Sequence, residues 1–378
     1  KGVQCNSKHI MTLGKKIMIV AGEESGDMYA SNIINKLSHK KNLHFYGMGS
    51  SRMKNTNATM ILDSSDLSVM GFLEIIKVYP KLLKSLNIMK KSISTVKPDL
   101  LVLIDYQEFN MKLAKYAKSN GIKVLFYISP QVWAWREKRI KNIKNYIDVM
   151  AVIFPFENKY YENLGINSYY VGHPLVEDNN YSKHYTSNKN HIGFFPGSRM
   201  NEVKKHIPII NQVIEILHKK YPKEKFLVSR SSNIDNKIFQ EYFSNKDYVS
   251  VITNEDIYET IDMCKIAAAA SGTITLQIAL KKVPMCVFYK LSNITYFLVK
   301  RLVKTKFISL INIVLNKKAV EEFIQEDASS EKISSEIERI INDENYRNNL
   351  IKNENLVEKK LIGDSAKINI SDLILNLL

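Results

Sequence analysis

Short apolar runs bounded by Gly, Pro or acidic residues alternate with longer segments of helical period along most of this chain. That alternation commits a chain to parallel βαβ units, because strands covered by helices on both faces read as nearly continuous apolar runs. In the first half, strands are expected at Lys16 to Ala21, His44 to Tyr46, Leu100 to Ile104, Val124 to Ile128 and Val149 to Ile153. Helices are expected over Asp27 to Leu37, Leu73 to Ser94 and Phe109 to Ser119. A polar stretch from Glu177 to Lys189, rich in Asn, Tyr and Ser, interrupts the pattern before it resumes. Beyond it, strands are expected at His191 to Phe195, Lys225 to Ser229, Ile266 to Ala269 and Met285 to Tyr289, and helices over Val203 to Lys219 and Thr273 to Leu280. From Ser329 onward the pattern is helical and polar.

At 378 residues the chain exceeds what one core comfortably supports. The expectation is an α/β protein of two Rossmann-like doubly wound lobes, over residues 11–180 and 188–355, with a helical tail over 356–378 that packs back on the first lobe. Two such sheets with their strand ends facing one another leave a cleft, and ligands bind outside the carboxyl ends of the strands. With 45% hydrophobic and 24% charged residues, the composition excludes disordered, collagen-like and low-complexity classes. Cys5, Cys264 and Cys286 are too few and scattered for a disulfide framework or a metal cluster, which points to a reducing cytoplasm. No metal motif or cofactor fingerprint is expected. No run of 18 apolar residues exists and the opening residues lack the apolar core of a signal peptide, so neither a spanning helix nor a signal peptide is expected; the ten residues before Met11 carry no pattern, and Met11 is read as a plausible start. The formal charge of +16 is spread over dispersed lysines without a nucleic-acid-binding motif. A lysine-favouring genome gives such a count, as does a partner that is an anionic membrane surface or a phosphate-bearing substrate.

Five loops at strand ends carry the candidate chemistry. Ala21-Gly22-Glu23-Glu24-Ser25-Gly26-Asp27 permits a tight turn, and its Ser and acids either cap the next helix or face a polar ligand. Asp105-Tyr106-Gln107-Glu108-Phe109-Asn110 follows an apolar strand, where a carboxylate either enters the cleft with a raised pKa or caps the helix. Ile128 to Arg136 holds both tryptophans, Trp133 and Trp135, which suit a sugar face or the core. Phe195-Pro196-Gly197-Ser198-Arg199 is an anion-binding turn with an Arg suited to a diphosphate. Ala270-Ser271-Gly272-Thr273 lets a ligand approach the start of a helix whose dipole favours phosphate.

As a set, and in this order, Ala21 to Asp27, Ser129-Pro130-Gln131-Val132-Trp133-Ala134-Trp135-Arg136, Val171-Gly172-His173-Pro174-Leu175, Pro196 to Arg199 and Ala270 to Thr273 resemble the lipid-A-disaccharide synthase family, from about Lys16 through the segment Phe307 to Asp327. The resemblance implies a GT-B fold and an inverting glycosyltransferase. Its substrates would be UDP-2,3-diacylglucosamine and 2,3-diacylglucosamine 1-phosphate, joined β(1→6) with loss of UDP, without a cofactor and without a nucleic-acid partner. It also implies a cytoplasmic protein held peripherally at the inner membrane of a Gram-negative bacterium; a homodimer stays open. Carried over by residue, the motif places the base on Glu108, with Asp105 its nearest competitor. Glu23, Ser25, Trp133 and Asn312 are placed toward the sugars, and Ser198, Arg199, Ser271, Gly272, Thr273, Gln277 and Gln325 toward UDP. Two positions depart from the family pattern: Gln277 stands where a Glu is expected to meet the ribose, and Ile311 replaces a Pro. Val69, Met70, Phe72 and Leu73, with Lys77, Lys81 and Lys84 nearby, are either the expected membrane contact or part of a core helix with a solvated lysine face. Alternatives are another GT-B UDP-N-acetylglucosamine transferase or epimerase with a soluble substrate, and a nucleic-acid-binding protein on an α/β scaffold.

Overall fold

The computed structural model describes residues 14–40, 42–65, 72–130, 139–177, 180–183, 189–253, 256–291, 296, 306–362 and 368–378. Two parallel sheets organise them. The first contains β1 (Lys15–Ala21), β2 (Leu43–Gly49), β3 (Thr59–Asp63), β4 (Leu100–Ile104), β5 (Lys123–Tyr127), β6 (Val149–Val152) and β7 (Ser168–Tyr170), in the order β3-β2-β1-β4-β5-β6-β7. The second contains β8 (His191–Phe195), β9 (Lys225–Ser229), β10 (Val249–Ile252), β11 (Cys264–Ala270), β12 (Met285–Tyr289) and β13 (Glu322–Ile324), in the order β10-β9-β8-β11-β12-β13. Both are doubly wound, as the alternation of apolar runs and helical segments requires.

The first sheet is covered on both faces. Met18, Val20, Leu101, Leu103 and Phe126 pack on one side with Leu113 and Ala117 of the helix Gln107–Ser119. Ile17, Ile19, Val102, Ile104 and Leu125 pack on the other with Ile33 and Ile34 of the helix Glu24–Leu37. Consecutive residues of one strand thus enter different cores, which is why the run Leu100–Ile104 carries no polar residue. The last helix, Ile370–Leu377, belongs to this first-lobe core through Ile370, Leu373 and Ile374. Its end is tied there by the Lys123 Nζ, which donates to the Leu377 carbonyl at 2.8 Å. One large core serves the second sheet, and Phe154 and Leu175 from the first half of the chain are buried in it. Among the described residues no helix is long and apolar enough to cross a membrane.

The strand order reverses direction of growth between β1 and β4 in the first sheet and between β8 and β11 in the second. Ala21 is in register with Ile104, and Phe195 with Ala269. Each sheet therefore delivers two loops side by side at its switch point, the place where open α/β sheets bind ligands.

Candidate active site

In the first lobe the paired loops are those after β1 and β4. They interlock through Gly22, since a Cβ there would lie 2.1 Å from the Tyr106 ring. Glu23 and Ser25 are exposed. Asp27 is buried and faces away from them. Its carboxylate accepts the Ser50, Arg52 and Met53 amides at 2.6, 2.9 and 3.2 Å and the Ser50 hydroxyl at 2.9 Å, so it caps the short helix Ser51–Lys54. The acids and Ser of this loop are thus divided between scaffold and cleft. Glu23, the N-cap of the helix that follows the loop, makes no side-chain cap hydrogen bond.

The β4 loop is bent by two successive left-handed residues, Asp105 at φ 47° and Tyr106 at φ 46°, beside Ile128 at φ 65° after β5. Such conformations persist where neighbours over-determine them, and they collect at functional sites. Asn110 supplies the constraint: its fully buried amide donates to the Ile104 and Asp105 carbonyls at 3.2 and 2.7 Å. Burial, and then the charge of Glu23, push the Asp105 carboxyl up to about 6, against a lowering contribution from the Tyr106 amide. Glu108 lies one turn further on. Its side chain is 70% exposed and ion-paired with Arg139. The loop after β5 starts on a firm base, with the Ser129 hydroxyl donating to Glu157 at 2.8 Å and the Tyr161 hydroxyl to the Pro130 carbonyl at 3.0 Å. Trp133 lies outside the described residues.

In the second lobe the paired loops follow β8 and β11. Gly197 has φ 103°, and a Cβ on it would come within 2.8 Å of the Glu202 carboxylate. Glu202 accepts Arg199 at 3.1 Å and the Tyr289 hydroxyl at 2.8 Å. Against the lowering effect of burial, Glu202, Tyr289 and lastly Glu23 of the first lobe raise the Arg199 guanidinium above its ordinary value. Ser198 is exposed beside it. Ser271 donates its hydroxyl to the Ile308 carbonyl at 2.7 Å, which fixes the loop after β11. Among the described residues the missing Gly272 side chain would meet nothing within 4 Å, and Thr273 is exposed, which leaves the start of the helix Ile274–Leu280 open toward them. Gln277 is half-buried in that helix.

Two residues placed toward the ligands by sequence are instead spent on the scaffold. Asn312 is fully buried: its Nδ2 donates to the Val320 carbonyl and Glu322 at 3.0 and 2.8 Å, and its Oδ1 accepts the Ala319 and Val320 amides at 2.7 and 3.0 Å. No polar capacity is left over for a sugar. Gln325, left-handed at φ 55° and buried, accepts the Leu291 amide at 2.5 Å, which holds the chain beyond β12. Val69 and Met70 lie outside the described residues, and Phe72 and Leu73 are described only as backbone of the helix Phe72–Val96. Asn110 and Tyr289, which lie in the expected loop and strand without a role of their own, and His206, which no loop contains, reach the cleft loops from helices or a strand end. The signal for His206 was a polar residue on the apolar face of its helix, among Val203, Ile207 and Ile210.

The relationships of the chain agree with this geometry. A family profile described as lipid-A-disaccharide synthetase matches residues 17–370. The lipid-A-disaccharide synthase of Geobacter metallireducens is 38% identical over 339 residues, 87% of this chain and 88% of that protein. The lipid-A-disaccharide synthase 1 of Legionella pneumophila (strain Philadelphia 1) is 37% identical over 375 residues, 96% of this chain and 98% of that protein. Among solved structures, UDP-GlcNAc 2-epimerase from Neisseria meningitidis bound to UDP-GlcNAc superposes with a TM-score of 0.67 at 12% identity, covering 96% of this chain and 98% of that one, which shows the GT-B-like fold. The chain belongs to the lipid-A-disaccharide synthase family of glycosyltransferases.

Proposed function

We propose that the protein transfers 2,3-diacylglucosamine from UDP to the 6-hydroxyl of 2,3-diacylglucosamine 1-phosphate, giving the β(1→6) disaccharide and UDP by inversion at the anomeric carbon. The observation that carries this reading is the division of charge across the cleft: a partly desolvated Asp105 in the first lobe and an arginine with a positive-φ glycine turn in the second. An inverting transfer needs one base on the acceptor side and one group that receives the departing diphosphate.

Asp105 fits the base better than Glu108. Its loop is locked by Asn110 and Gly22, and its raised pKa matches the proton of a hydroxyl more closely. Glu108 is exposed and its charge is engaged by Arg139. In the proposed step the acceptor oxygen gives its proton to Asp105 as it bonds to the anomeric carbon, and the bond to the UDP oxygen breaks. Arg199, Ser198 and the loop Ser271-Gly272-Thr273 receive the negative charge that develops on the diphosphate. The Gln277 amide accepts from the ribose hydroxyls. Glu23 and Ser25 border the sugars.

Acylated substrates call for a lipid surface, and the helix Phe72–Val96 supports one. Tyr79 and Leu83, 50% and 40% exposed, are one helical turn apart with exposed Lys81 and Lys84 beside them. An apolar ridge flanked by lysines suits an anionic leaflet, so we place the enzyme peripherally at the cytoplasmic face of the inner membrane.

In mixed micelles, UDP release from UDP-2,3-diacylglucosamine is expected only when the lipid monosaccharide phosphate is supplied. Absence of a disaccharide product while a control synthase is active, or turnover of unacylated UDP-N-acetylglucosamine instead, overturns the assignment.

A further inference from the structure

Beyond the residues expected to touch UDP, the helix Met200–Lys220 carries one that touches two cleft loops at once. His206 is fully buried. Its Nδ1 lies 2.7 Å from the Pro196 carbonyl, at the root of the turn Pro196-Gly197-Ser198-Arg199. Its Nε2 lies 3.1 Å from the Lys290 amide, directly after β12. A carbonyl oxygen only accepts and a backbone N–H only donates, so the ring is the neutral tautomer with its proton on Nδ1. The imidazole packs edge-on against Phe288, with ring centroids 5.1 Å apart, and tilted against Tyr289 at 5.6 Å.

The same helix supports these loops a second time, one turn earlier. There Glu202 accepts both Arg199 and the Tyr289 hydroxyl. The loops after β8 and β12 come from strands that are not neighbours, since β11 lies between them. The β11 ladders space the strands, but no ladder hydrogen bond joins the two loops to one another, whereas His206 does.

We propose that His206 is a positioning residue: by joining Pro196 to Lys290 it sets the spacing of the two loops on either side of the β11 loop, and through that spacing the placement of Arg199 for a nucleoside diphosphate. The inference rests on the proposed use of UDP and deepens it. The imidazole touches no substrate. It links one loop to another through one donor and one acceptor, which different substitutions can remove separately.

His206→Leu keeps the volume and removes both bonds. His206→Asn keeps a donor at the Nδ1 position, and His206→Gln keeps an acceptor at the Nε2 position. UDP affinity of the full-length wild type and of the three variants is measured by calorimetry, alongside thermal unfolding and the KM and kcat of the transfer. His206→Leu is expected to weaken UDP on the order of tenfold, the loss of two ordinary hydrogen bonds, and to raise donor KM while acceptor KM is unchanged. Asn and Gln are each expected to recover part of that loss. Wild-type affinity in a folded His206→Leu protein overturns the brace, as does an equal loss in all three variants, which would mean packing alone. Should the Leu variant not fold, the other two decide: wild-type UDP affinity in both is the overturning result, and intermediate affinity the supporting one. A wild type that binds no UDP overturns the proposed function, and the brace with it. Wild-type binding with unaffected variants overturns the brace alone.

Discussion

The loops at the two switch points occupy equivalent places in similar sheets, yet they are built in opposite ways. The β4 loop of the first lobe is strained and closed: Asp105 and Tyr106 both have positive φ, Asn110 holds their turn, and the Tyr106 ring leaves no room for a Cβ at Gly22. The loops of the second lobe are open: no described residue comes within 4 Å of a side chain built at Gly272, Thr273 and Ser198 are exposed, and the Arg199 side chain is 64% exposed on a pivot made by Glu202. A base must hold one geometry toward one hydroxyl and benefits from partial desolvation. A diphosphate site needs donors that can gather around a large anion, and exposure makes it accessible. In the proposed reaction, the difference suits the closed loop to proton transfer and the open ones to binding the leaving group.

That division is tested most severely by two carboxylates in the same loop. Asp105→Asn is expected to lower kcat on the order of 10²–10⁴-fold, the usual contribution of a general base, while UDP affinity stays at the wild-type level. Glu108→Gln is expected to keep most of the turnover, because an exposed ion pair of this kind contributes little. If single-turnover kinetics with both variants give the reverse result, the base belongs on Glu108 and the strained turn is only architecture. The next largest effect is on the other side of the cleft. Arg199→Ala is expected to weaken UDP by about 10- to 100-fold, the worth of a charged hydrogen-bonding group, whereas Asp105→Asn leaves UDP binding alone. Calorimetry with UDP on both variants checks the contrast, and equal losses would mean that the two loops act as one unit.

The same comparison explains what the sequence revealed. The nine strands expected from apolar runs are the inner strands of both sheets, and the four not foreseen are their edges: β3, β7, β10 and β13. A strand such as Leu100–Ile104 is buried at every residue, and its sequence shows it. Val249–Ile252 and Glu322–Ile324 are half-buried, covered by neighbours distant in sequence, and so carry ordinary mixed residues. The cleft loops were legible because they end the apolar runs. The roles within them were less so. Asp105 and Glu108 differ by burial and backbone handedness, which follow from Asn110, Gly22 and Arg139 together rather than from the acids. Asn312 and Gln325 look like cleft residues in a linear motif, but the segments around Val320 and Leu291 fold over and satisfy their amides. His206 escaped for the opposite reason: its two partners are backbone groups, and no spacing in the sequence announces them.

The smallest expected effect, a pH dependence, also distinguishes the two sides, because burial in the closed loop pushes Asp105 up to about 6. Burial and Glu23 raise Asp105 from 3.8 to about 6. The base acts as the carboxylate, so kcat/KM is expected to stand at half its plateau near pH 6 and to fall about tenfold per unit below it. Glu23→Gln removes the second of the two causes and is expected to move that midpoint downward without abolishing it, since burial remains. The linked effect on stability has the opposite direction. The folded state holds this proton more tightly than the unfolded chain, so the contribution of Asp105 is fully present below the ordinary carboxylate pKa and is lost as pH rises through about 6. Asp105→Asn is therefore expected to flatten that part of the thermal-unfolding profile and to unfold at no lower temperature than wild type at pH 8. Activity and stability thus run in opposite senses over one pH interval through one carboxyl group. A wild-type kcat/KM that stays level down to pH 5, or an Asp105→Asn unfolding profile with the wild-type slope, would place the titrating group elsewhere and remove the desolvated base from the closed loop.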